Sequence, residues 1–98
     1  LEYLAPGQDE NADGSAWRAV PIVGGEAGSG GQPVWDGGNR LALTRRISKD
    51  IRMVDMTDEN RPTTVWTESI AGHPDTGLFH KGRLLVPAGY QGLLIEKR

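Results

Sequence analysis

An internal repeat with a period near 42 residues constrains this 98-residue chain more than any other feature of its sequence. Asn39-Arg40-Leu41-Ala42-Leu43 lies over Gly82-Arg83-Leu84-Leu85-Val86 at an offset of 43, and Ile51-Arg52-Met53 lies over Leu93-Leu94-Ile95 at an offset of 42. In the same frame Trp35 falls close to Phe79, and Gln32-Pro33 falls near His73-Pro74. Upstream, the run opened by Trp17 takes the part that the run containing Trp66 takes later. A pattern written twice at a fixed period describes a supersecondary unit that cannot bury its apolar faces alone and must stack on neighbours.

The texture of the repeat is that of strands. Pro33–Trp35, Arg40–Arg46, Ile51–Met56, Thr63–Ile70, Gly77–His80, Arg83–Ala88 and Gly92–Lys97 are short β-type runs bounded by Gly, Asp, Asn, Ser or Pro. No stretch sustains apolar residues at i, i+3, i+4, i+7 between helix caps, so helices beyond a turn or two are not expected. Leu84-Leu85-Val86 and Leu93-Leu94-Ile95 are unbroken apolar runs, which suit strands covered on both faces. Pro87 removes a ladder donor and points to an edge strand or a bulge. A period of 40–45 with four strands per unit is the signature of propeller blades. The expected fold is therefore all-β, with two four-stranded antiparallel propeller-blade-like repeats, incomplete as a ring. Residues 1–16 form an arm or loop, 17–62 the first repeat with the Gly-rich loop 24–32, and 63–98 the second repeat.

The stretch from Ile51 to Lys97 resembles the LVIVD-type β-propeller repeat. Ile51-Arg52-Met53-Val54-Asp55 is similar to that motif, and Met56–Pro62 resembles its acidic, proline-ended turn. A Trp-containing strand, a Gly-x-Pro loop and a Gly-Arg-Leu-Leu-Val strand follow, and Gly89-Tyr90-Gln91-Gly92-Leu93 resembles the glycine-bearing hairpin before the next motif strand. Residues 17–50 match loosely, and Glu96-Lys97 stands where the family carries an apolar residue and Asp. The resemblance implies a ring of blades to which this chain contributes about two, with another polypeptide supplying further blades or a docking surface.

Composition narrows the remaining classes. A chain of this length buries only about 60–65% of its unfolded surface and commonly needs staples or association. Cysteine is absent, which removes disulfides and thiolate-bound zinc. A net charge of −2 argues against a nucleic-acid surface, and no apolar run is long enough to span a membrane. The chain begins with Leu1 and not Met, which leaves a processed product or an excised fragment as readings; the compartment stays open, with an extracytoplasmic location favoured.

Few residues suggest chemistry. Asp9, Asn11, Asp13 and Ser15 fall in D-x-N-x-D-G, the opening half of a calcium loop, where alternating oxygens converge on one ion and Gly14 permits the turn. Val20 stands where such a loop closes with a bidentate Glu, so calcium is an expectation set against a solvated acidic arm. His73 and His80 are the two imidazoles, with Asp75 between them. By the propeller resemblance, His73 and Asp75 share a ligand or partner face with Tyr90 and Gln91, near Arg46 to Lys49. The competing reading makes 72–75 an ordinary turn and His80 a strand end. Ser69, His73 and Asp75 lack the strained nucleophile turn, and Gly28–Gly31 lacks the Lys of a phosphate loop, so no catalytic constellation emerges. Trp17, Trp35 and Trp66 are expected between packed sheets. The functional expectation is a structural or protein-interaction subunit of a larger assembly. The alternatives are a piece of a cleaved extracytoplasmic propeller enzyme completed by another chain, and a virion or filament component.

Overall fold

The computed structural model describes residues 16–24 and 30–97. Its strands are β1 (Gln32–Trp35), β2 (Arg40–Arg45), β3 (Asp50–Asp55), β4 (Thr63–Ser69), β5 (Leu78–His80), β6 (Arg83–Pro87) and β7 (Leu93–Ile95). They form two antiparallel sheets, ordered β1-β2-β3-β4 and β5-β6-β7. The chain is all-β, neither sheet closes into a ring, and the one helical element among the described residues is a 3₁₀ turn at Gly89–Gln91. The expected four strands per unit hold for the first sheet. The second has three among the described residues. Hydrogen bonding assigns Thr63–Ser69 to the first sheet, so the sheets and the sequence repeats are offset by one strand.

Local chemistry sets the turns. Between β1 and β2, the Asp36 carboxylate accepts the amides of Gly38 (2.7 Å) and Arg40 (3.0 Å), closing the reversal. Lys81-Gly82 joins β5 to β6 with both residues at positive φ (53° and 78°), the two-residue turn whose twist matches a hairpin. After β3, Asp55 accepts the Thr57 hydroxyl (2.7 Å) and amide (3.0 Å), which hold its carboxyl below the usual range, the hydroxyl contributing most. A register shift between Met53 and Val54 leaves Val65 as the extra residue of a bulge.

The two sheets pack through one core. Ala42, Ile51 and Met53 from the first meet Leu84 and Val86 from the second, with Val34, Trp66, Ile70, Phe79 and Leu94 packed around them. Cross-strand rows repeat between the sheets. Val34, Ala42 and Met53 lie opposite one another in β1, β2 and β3, as Leu78, Leu85 and Ile95 do in β5, β6 and β7. The stacking is head to tail. The first sheet presents the Val34–Ala42–Met53 face to the second, and the second answers with its opposite face, Phe79, Leu84, Val86 and Leu94.

Several expectations change here. Trp17–Val23 forms no strand; Val23 makes one parallel bridge to Thr63, its amide donating to Pro62 and its carbonyl accepting Thr64, both at 2.8 Å. Trp66 packs against the core, whereas Trp17 and Trp35 are each 60% exposed. Trp35 lies on the face away from the second sheet, and its Nε1–H donates to Gly38 (2.8 Å). Pro87 ends the central strand β6 and not an edge strand. Its carbonyl accepts the Asp75 amide (2.9 Å), and β5 has not begun opposite its ring, so no ladder bond is lost.

Arg45 and Asp50 close the β2–β3 hairpin with two charge-assisted bonds of 2.7 and 2.6 Å, largely out of solvent. The hydrogen bond from Arg45 holds the Asp50 carboxyl below 3.8, opposed by burial and helped by the charges of Arg45 and Arg52. A depressed folded-state value means that this stabilisation is complete above pH 3.8 and is lost as pH falls through the folded value. Asp50→Asn is expected to cost about 1–3 kcal/mol at pH 7. Its urea-unfolding free energy should also fall less steeply than the wild type's between about pH 4 and pH 2.

Candidate functional site

Three arrangements bear on function. The first is a loop cluster at one end of the sheets, where the chain leaving β4 meets the 3₁₀ turn between β6 and β7. Gly72 donates its amide to the Gln91 side chain (2.8 Å), and Asp75 donates its amide to Pro87 (2.9 Å). His73 Nδ1 lies 2.9 Å from the Arg46 carbonyl; a carbonyl only accepts, so the proton sits on Nδ1. Arg46 also approaches Asp75 (3.5 Å), both side chains well exposed, an ion pair of little energetic weight. His73, Asp75 and Gln91 are thus brought together, beside Arg46. Tyr90 sits in the same turn, 82% exposed. His80, at the far end of β5, is not part of the cluster.

Among the described residues, no group of three or more His, Asp or Glu is arranged to hold a metal. The candidate calcium residues Asp9, Asn11, Asp13 and Ser15 lie outside the described residues.

The second arrangement is the outward face of the second sheet. Leu78 (52% exposed), Leu93 (55%) and Ile95 (53%) surround the half-buried Leu85, with Pro87 beside them. The row Leu78–Leu85–Ile95 takes the cross-strand positions that Val34, Ala42 and Met53 take in the first sheet, where the second sheet covers them. The unbroken apolar runs of β6 and β7 are therefore apolar on both faces but covered on one.

Compared with known proteins, the chain matches no family model, no curated protein and no solved structure. What it does must be argued from its own surfaces.

The third arrangement is a groove of about 490 Å³ between the sheets on the β4 and β7 side. Its floor is apolar, from Ile51, Trp66, Ile70, Leu84, Val86 and Leu94, and its rim carries Glu68, Ile95, Glu96 and Lys97. The sheets come closest between β1 and β5, so they diverge toward this side.

Two residues to which the sequence analysis gave no site role shape these surfaces. Glu96 is bound by both its oxygens to Arg40 Nη2 (2.7 Å each), and Glu96 Oε1 also accepts the Leu84 amide (3.0 Å). Arg40 reaches the Gly82 carbonyl (3.2 Å) and lies over the Phe79 ring (5.2 Å). Glu96 is thus the clamp between the sheets. Its signal in the sequence was a charge at the position that repeats Val54. On the opposite face of the first sheet, Arg52 is 2% exposed, and its Nε and Nη1 have no hydrogen-bond partner among the described residues. It occupies the position that Leu94 takes in the second sheet.

Proposed function

We propose that this chain is a structural or protein-interaction subunit that contributes propeller-type sheets, of the LVIVD-like kind, to a larger assembly. The observation that carries this reading is the outward apolar face of Leu78, Leu85, Leu93 and Ile95. An apolar face of this extent on a small soluble domain marks a contact surface. The head-to-tail stacking supports a particular occupant, because the face equivalent to it in the first sheet is covered by a sheet presenting Leu84, Val86 and Leu94. The partner is accordingly a further sheet of the same type, carried by another polypeptide. Heterologous stacking of this kind leaves one face of each type unpaired until the series closes. Tyr90 and the His73–Asp75 loop provide a polar border at one end of the sheets, suited to contacts with the same partner.

The test compares native mass and sedimentation of the full chain isolated with its binding proteins, for the wild type and for a Leu78→Lys, Leu85→Lys double variant. The wild type is expected to carry a second polypeptide containing the same strand pattern, and the double variant to lose it at least ten-fold while keeping its β-sheet circular dichroism. A folded wild-type monomer that takes no such partner would sink the reading.

A further inference from the structure

We draw no further inference here: the strongest candidate, the buried Arg52 guanidinium on the face of the first sheet turned away from the second, has Nε and Nη1 without a hydrogen-bond partner among the described residues, but nothing in the structure shows what covers it.

Discussion

Gly72→Ala is expected to lower the unfolding free energy by about 3 kcal/mol, a drop in melting temperature of roughly 10–20 °C for a domain of this size. Gly72 is buried where the chain leaving β4 crosses the end of β6, and a Cβ there would overlap the Ala88 carbonyl oxygen, with the Ala88 carbonyl carbon at 3.1 Å. Both obstacles are backbone, so relief requires one loop to move. Movement breaks the Gly72–Gln91 bond and disturbs the Asp75–Pro87 bond, the two contacts that seat the loop cluster. Gly37→Ala is the matched control. Gly37 has a positive φ (88°) but nothing within 4 Å of a new Cβ, so only the backbone preference is lost, about 1 kcal/mol. Urea unfolding of both variants checks the contrast; equal losses would mean that the close approach at Ala88 does not matter.

Arg40→Ala is expected to cost about 2–3 kcal/mol, more than an exposed ion pair can supply. The Arg40 and Glu96 side chains keep only 30% and 24% of their exposure and share two hydrogen bonds across the sheets. Removing the guanidinium leaves Glu96 half-buried with the Leu84 amide as its remaining partner, and removes the contact with Phe79. Glu96→Gln keeps the shape and the bond from Leu84 but loses the charge, so it should cost less, about 1–2 kcal/mol. A double-mutant cycle in urea should give a coupling of at least about 1 kcal/mol. Additive losses would mean that the two residues act independently and that apolar contacts alone join the sheets.

The strands and their turns were legible because each has a local cause. Gly and Asp punctuation and period-2 segments are properties of neighbours along the chain. The loop cluster was legible through the same frame: His73, Asp75 and Gln91 meet because two connections end on one side of adjacent sheets. The tryptophans were not. Trp35 and Trp66 both sit in strands, but facing depends on register, and one position decides between core and solvent. Trp17–Val23 has strand-like composition yet pairs through Val23 alone, since strand propensity needs a partner edge to be realised.

The sequence determined by itself that the chain is all-β: short β-type runs bounded by Gly, Asp, Asn, Ser and Pro mark strands that have to pack on one another. Tertiary structure decided how. It stacked the sheets head to tail, offset them by one strand from the repeats, and made Glu96 a clamp to Arg40. The reason is physical. Periodicity specifies which side chains share a face, but which face is covered depends on long-range pairing that no local pattern encodes. The apolar runs of β6 and β7 signalled two covered faces. Among the described residues, the fold covers one and leaves the other exposed.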